Sequence, residues 1–435
     1  MKIIEKFKKH WSDPLYRNSY YLMGNSIVGS ALGFIFLMVV AKFYDAAELG
    51  LAVALISSAG IVTSISRLGL DVSIVRYLSK EKDKKGLINT CLTIVGIASF
   101  VIAIVFLLGL DLWGRKLDFV KGSWLYICAF VVFTTIFGLL PIVNNVFVAM
   151  RDTKYALIQN TIFAGLKIPL PIVLAPIFAT FGIFGAWGLS LTAAILIGLF
   201  FFMRRAVPGY VPYPEFKKEK AKEIFHFSAG NYVVNLFAGA PTFVLPLIIL
   251  HFLAPEENAY YYVSFAIASL LFVIPGAFSM SLFAEGSFKE EKFFHNLKRA
   301  MMHTYIFLLP AIIAVALLGK WVLLIFGAEY SKSGYLLLML LAGSGIFVGL
   351  NSFYGTYLRI RLRIREMVVV YVLLALGILG VATTLLATTE MGIMAVGFAY
   401  LGTQGAFSLY VGGRFLVIVG RSRSRRAAKV ETETD

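Results

Sequence analysis

Apolar residues in this chain run in long blocks separated by short polar stretches, with neither the strict alternation of a surface strand nor the narrow stripe of a soluble amphipathic helix. A helix needs about 20 mostly apolar residues to cross the hydrocarbon of a bilayer. By that measure the blocks predict twelve spans. Six lie in the first half, at residues 18 to 40, 49 to 70, 88 to 110, 123 to 149, 156 to 179 and 182 to 203. Six more follow at 228 to 251, 259 to 283, 298 to 319, 334 to 358, 367 to 387 and 392 to 417. The long polar interruption near the middle, Arg204 to Glu223, carries six cations together with Pro208, Pro212 and Pro214. It reads as a hinge between two halves, because proline prevents a continuous helix there.

Charge gives the direction of insertion. With both termini inside, the segments assigned to the cytoplasm hold 31 of the 40 lysines and arginines and the external loops hold six. Loops rich in Lys and Arg stay on the cytoplasmic side, so a multi-pass protein of the cell membrane with both termini in the cytoplasm is expected. The organisation is then an interfacial N-terminal segment (1–17), an N-terminal six-helix lobe (18–203), a cytoplasmic hinge (204–223), a C-terminal six-helix lobe (224–418) and a polar tail (419–435). Composition agrees, at 59% hydrophobic and only 15% charged over 435 residues. The net charge of +16 does not argue for nucleic acid, because the cations punctuate apolar spans instead of forming a basic face. Cys91 and Cys128 lie in apolar segments without metal-ligand spacing, so neither a disulfide framework nor a metal site is expected.

Six spans per half put both halves in the same orientation, the arrangement of a parallel duplication about an axis along the membrane normal. Traces of one are visible. Gly24-Asn25 recurs as Gly230-Asn231, Asn145 as Asn351, and Phe43 with Glu48 as Phe252 with Glu257.

Several stretches carry a family resemblance. SRLGLDVSIVRYLSKEKDKK at 66 to 85, FGAEY at 326 to 330, FGIFGAW at 181 to 187 and the opening YYLMGNSIVGSALGFIFLMVVAKFYDAAELGLAVAL resemble polysaccharide-export flippases of the Wzx type. These form the polysaccharide transporter branch of the superfamily that also holds the multidrug and toxin extruders. The resemblance implies a V-shaped pair of six-helix lobes opening alternately to each face. It further implies a polyprenyl-(pyro)phosphate-linked oligosaccharide as cargo, moved from the inner to the outer leaflet for surface polysaccharide or glycan assembly. Glycosyltransferases and a polysaccharide polymerase would then be neighbours, membrane lipids the surroundings, and sodium or protons a coupling ion. No cofactor and no nucleic-acid partner are expected.

Lys167 is the most pointed candidate. About twelve residues into its span, it is ~18 Å deep at 1.5 Å per residue. A lysine there costs ~3 kcal/mol on insertion scales, so it should face protein or water. Pro169, Pro171 and Pro176 follow it and should kink the helix. A cation beside a broken helix suits an anionic group such as a lipid pyrophosphate; the alternative is a buried lysine paired to a carbonyl or merely solvated. Arg67 and Arg76 are further candidates for phosphate. Arg67 could instead snorkel, or pair with Asp71 four residues on if the helix continues. Arg414, near the end of the last span, is expected to snorkel. Asn25, Asn145, Asn231 and Asn351 could meet sugar hydroxyls, although hydrogen bonding between helices is the competing use. His303 and Asp71 are candidates for ion coupling, with a packing role as the alternative for the histidine.

No Asp or Glu falls in the middle third of any span, which disfavours a cation-coupled drug antiporter, the rival within transport. The loops carry no cluster of acids, bases or metal ligands, which disfavours an enzyme. A flippase working by alternating access, making and breaking no bond, is the expected function.

Overall fold

The computed structural model describes residues 14–286 and 293–434, with side chains described except at 14–16, 19, 179, 221–229, 284–286 and 416–434. The expected interfacial helix at 1–17 therefore falls almost wholly outside the described residues. Every regular element among the described residues is helical. Ten of the helices are long and apolar enough to cross a membrane, and a bent pair supplies an eleventh span if counted as one. The twelfth expected span, 392 to 417, lies within the helix Met394–Thr434. The protein is a multi-pass, all-α membrane protein.

Two compact units divide the chain, Met1–Tyr262 and Val263–Asp435. The first contains α1 (Pro14–Phe43), α2 (Ala46–Ser66), α3 (Leu70–Tyr77), α4 (Lys84–Leu108), α5 (Trp124–Ala149), α6 (Thr153–Leu166), α7 (Pro169–Ile197) and α8 (Lys218–Phe252). The helix α9 (Pro255–Gly286) begins in the first unit and passes into the second. The second unit continues with α10 (Phe293–Leu324), α11 (Ala328–Ile360), α12 (Ile364–Thr388) and α13 (Met394–Thr434).

In the first unit α2 is the central helix, with 78% of its span buried. Its sequence explains why, because Gly50, Ser57, Ser58, Ala59 and Gly60 let neighbours come close. At Gly50 a Cβ would overlap the Pro255 carbonyl oxygen, and the Gly50 carbonyl accepts a 2.7 Å hydrogen bond from the Asn258 side chain. Phe130, Phe147, Phe184 and Ile142 fill the core behind it. An apolar exposed surface belongs to α10 in the second unit, where 17% of the span is buried, as in α1, and Phe307, Ile313, Leu317 and Trp321 are exposed.

Corresponding turns in the two halves use one device. Arg151 after α5 and Leu362 after α11 are both left-handed, at φ 58° and 54°. In each turn the next amide reaches back to close the helix, Asp152 N–H to Phe147 O and Arg363 N–H to Leu358 O, both at 2.9 Å.

The boundary expected near residues 180 and 181 is present: α7 runs from Pro169 to Ile197, but one span ends at Phe178 and the next is Thr180–Ala206. A Cβ on Gly182 would lie 3.1 Å from the Leu174 carbonyl oxygen, so the chain doubles back there. The expected kink falls within the span before that boundary, at Lys167 and Ile168, where Thr153–Leu166 meets Pro169–Phe178 at 41°. Proline explains the position: Pro169 and Pro171 cannot donate backward to the preceding turn, but Pro169 is well suited to start a new helix.

Candidate functional site

Two helix breaks in the first unit each carry an intramembrane cation. The first separates α2 from α3 without any proline. Leu68 and Gly69 adopt φ of 51° and 76°, so the chain passes through the left-handed region and restarts. Arg67 closes α2. Its Nε donates to the Thr63 carbonyl at 3.2 Å, its guanidinium donates to Ser64 Oγ at 3.2 Å, and it pairs with Asp71 Oδ2 at 3.4 Å. The i,i+4 partner is thus reached across a break, with no continuous helix between the two residues. Asp71 is itself held on other sides. Its Oδ1 accepts from the Val72 amide at 3.0 Å and its carbonyl accepts from Asn145 at 2.8 Å. Those contacts account for Asp71 as an anchor of the break.

The second break carries Lys167. The residue caps α6, and its Nζ stands 4.8 Å from the centre of the Phe36 ring and 5.3 Å from that of Phe163. Among the described residues no carboxylate or carbonyl bonds this ammonium, so the paired-lysine alternative does not hold. Ring faces attract a cation by about 0.5–2 kcal/mol without neutralising it. Two aromatic faces are thus the neighbours the structure gives this ammonium.

Beside it runs a chain of amides. Asn160 on α6 donates to Asn25 Oδ1 on α1 at 3.0 Å, and Asn144 on α5 donates to Asn160 Oδ1 at 3.3 Å. These bonds fasten α1, α5 and α6 to one another. Asn25 and Asn145 thus serve interhelical bonding in the observed state. Arg76 is exposed in the last turn of α3, with its guanidinium 6.0 Å from the Tyr77 ring centre. Asn231 is half-buried on α8 and forms no hydrogen bond to another described residue.

The other candidates lie in the second unit. Asn351 is sealed in a polar knot, donating to Gln404 Oε1 at 2.7 Å and accepting from Ser408 at 3.0 Å. His303 is exposed, its Nδ1 2.7 Å from the Arg299 carbonyl. Arg414, expected to snorkel, has a carboxylate partner. Its guanidinium binds Glu366, which also accepts from Tyr354 at 2.9 Å and Arg363 at 3.1 Å. A carboxylate one turn from four arginines was the available sequence signal for that cluster.

The middle connector is fastened along its length to the first unit. Tyr210, 1% exposed, donates to Asn89 Oδ1 at 2.7 Å, and Asn89 donates to the Val211 carbonyl at 3.2 Å. Further on, Thr93 and Thr90 accept from the Glu215 and Lys217 amides at 3.0 and 3.3 Å. Lys217 binds Asp83, and Lys220 reaches Asp83 at 2.9 Å and Glu81 at 3.4 Å. Gly86 leaves room for this cluster, since a Cβ there would strike Asp83 and Lys217. The Lys217 ammonium, followed by Lys220 and the Gly86 amide, holds the Asp83 carboxyl well below the usual carboxylate range. Sequence reading marked the cations of this stretch and missed their partners.

The helical arrangement has the fold of membrane transporters of the MOP superfamily. It matches the lipid II flippase MurJ in an inward closed conformation with a TM-score of 0.75, at 11% identity over 90% of this chain and 86% of that one. An inward-facing multidrug resistance MATE transporter matches at 0.60, with 16% identity over 94% of this chain and 98% of that one. A MOP-superfamily transporter from Pyrococcus furiosus, described as having a binding pocket of reversed polarity, matches at 0.56, with 14% identity over 92% and 96%. No match was found among curated protein sequences. Residues 15–283 match the polysaccharide biosynthesis protein family, and the chain belongs to that family.

Proposed function

We propose that the protein is a flippase for a polyprenyl-(pyro)phosphate-linked oligosaccharide, moving it from the inner to the outer leaflet of the cell membrane by alternating access. The observation that carries this reading is Lys167, an unneutralised ammonium at a helix break in a chain of the polysaccharide biosynthesis family. A diphosphate needs such a charge once it leaves water, and a half-buried cation offers it more strongly than a solvated one. Lys167 neutralises the diphosphate, while Arg76, exposed at the end of α3, is the residue suited to meeting it first. Arg67 contributes by holding its break in shape, and its positive charge adds to the local field. The sugar follows through water, the lipid tail stays in the bilayer, and no bond is made or broken.

Both termini are assigned to the cytoplasm by the cation asymmetry of the loops. Glycosyltransferases that build the cargo and a polymerase that extends it are the partners this role requires. The test is translocation of an isotopically marked polyprenyl-diphosphate oligosaccharide in proteoliposomes, under sodium and proton gradients in turn. Protein-dependent movement that falls more than about tenfold in Lys167→Ala, a loss of at least ~1.4 kcal/mol in the barrier, is the expected result. Protein-dependent movement unchanged by the substitution removes Lys167 from the mechanism. An inert protein that instead exchanges organic cations overturns the cargo.

A further inference from the structure

A partly open cavity of about 170 Å³ in the second unit, walled by α9, α11 and α12, has a lining whose chemistry nothing above employs. Ser279 of α9, Ser352, Thr356 and Arg359 of α11, and Tyr371 of α12 all face it. Ser279 is 7% exposed, and its hydroxyl bonds nothing among the described residues. The hydroxyls of Ser352, Thr356 and Tyr371 likewise have no described partner.

Many hydroxyls of this chain do otherwise. Elsewhere Ser58, Thr135, Ser190, Thr192 and Thr383 each donate to the carbonyl four residues back, at 2.6 to 2.8 Å. Ser and Thr can satisfy their hydroxyls in this way, so the three that do not, together with the Tyr371 phenol, are available to a guest around one space. Gly355 preserves the arrangement, since a Cβ there would lie 2.8 Å from the Tyr371 hydroxyl oxygen.

The charge matches the hydroxyls. Arg359 stacks its guanidinium 5.9 Å from the Phe283 ring centre, and no described carboxylate lies within salt-bridge distance of it. By contrast Arg363, one turn further along, is paired with Glu366. Hydroxyls can give hydrogen bonds, guanidinium gives only, and the lining holds no carboxylate or side-chain amide to receive them. Such a donor-rich space fits an acceptor-rich anion with several oxygens better than a sugar, which needs acceptors for its own hydroxyls. The volume is below the 300–1,000 Å³ usual for small-molecule pockets, a size suited to one headgroup and too tight for an oligosaccharide.

We propose that this cavity binds a phosphate group, with Arg359 as the charge and Ser279, Ser352, Thr356 and Tyr371 as the hydrogen-bond donors. It is separate from Lys167 and does not depend on the cargo proposed above. A membrane phospholipid and a free phosphate compound carry the same group, and the experiment separates the two sources.

The full-length protein in neutral detergent is titrated with dioctanoyl phosphatidic acid and, separately, with inorganic pyrophosphate. Arg359→Gln should weaken binding at least about tenfold, and Ser279→Ala with Tyr371→Phe about threefold to tenfold, equivalent to ~0.7–1.4 kcal/mol. Arg361→Gln, an exposed cation outside the cavity, should leave binding unchanged. Binding of the lipid alone assigns the site to a headgroup; binding of pyrophosphate, with or without the lipid, assigns it to a free phosphate. Absence of binding by either probe overturns the proposal, as does equal weakening by Arg361→Gln. If Arg359→Gln does not fold, the hydroxyl variant decides, because it keeps the charge. Wild-type affinity in that variant also overturns the site.

Discussion

The two units differ in where their helices are interrupted. In the first, α2 and α6 are interrupted, and each interruption holds a cation, Arg67 at one and Lys167 at the other. In the second, Pro275 and Pro310 lie inside helices of 32 residues that continue past them. Its polar side chains close on one another, as Asn351 does with Gln404 and Ser408, and Arg414 with Glu366. Proline alone is therefore neither required nor sufficient for a break. The α2–α3 break has none and depends on Gly69 in a left-handed conformation. The α6–α7 break has prolines on either side of Leu170, which removes two of three consecutive backbone donors.

The largest expected effect sets one unit against the other. Lys167→Ala should lower flipping more than about tenfold with little change in stability, since the ammonium is held only by ring faces. Asn351→Ala should do the reverse. Removing one member of a buried knot leaves Gln404 and Ser408 without their partner and costs about 1–3 kcal/mol, read as a lower Tm in detergent with transport per folded molecule retained. Comparable transport losses in both variants would remove the contrast.

A smaller effect tests the break without proline. Gly69→Ala forces a Cβ into the left-handed region and should cost about 1–2 kcal/mol, with Tm as the measure. A neutral substitution would show that the Arg67–Asp71 pair and the Asn145 bond suffice to hold the turn.

The smallest expected effect concerns the connector. Asp83 has a depressed folded pKa, so its contribution is present above the unfolded carboxylate value near ~4 and is lost only as pH falls through the folded value. The clamp should therefore be constant from about pH 5 to 9. Asp83→Asn should release Lys217 and Lys220, seen as faster tryptic cleavage after Lys217 with Tm almost unchanged. Cleavage that already accelerates between pH 9 and pH 5 in the wild type would contradict the assigned clamp.

Much was legible in the sequence because a bilayer imposes a strict composition. Blocks of apolar residues gave the spans to within a few positions at most helix ends, as at 123 to 149 against Trp124–Ala149. The prolines after Lys167 marked a kink that the structure places immediately before them. The gap expected between residues 179 and 182 matches the division of spans between Phe178 and Thr180. The fates of the asparagines were not legible. Asn145 and Asn351 stand at matching sequence positions, yet one bonds a backbone carbonyl at a break and the other a glutamine side chain.

The sequence by itself determined the membrane class, the helical fold, the resemblance to polysaccharide exporters and the positions of the rare intramembrane charges. These depend on local composition and on the cost of placing charge in hydrocarbon, both properties of the chain read in order. Only the tertiary structure decided which charges are spent. Arg67, Asp71, Arg414 and Asn351 are satisfied by neighbours from other elements or across a turn, and Lys167 and Arg359 are not. Whether a donor is free depends on what lies within about 3 Å of it in space, and spacing along the chain does not carry that information.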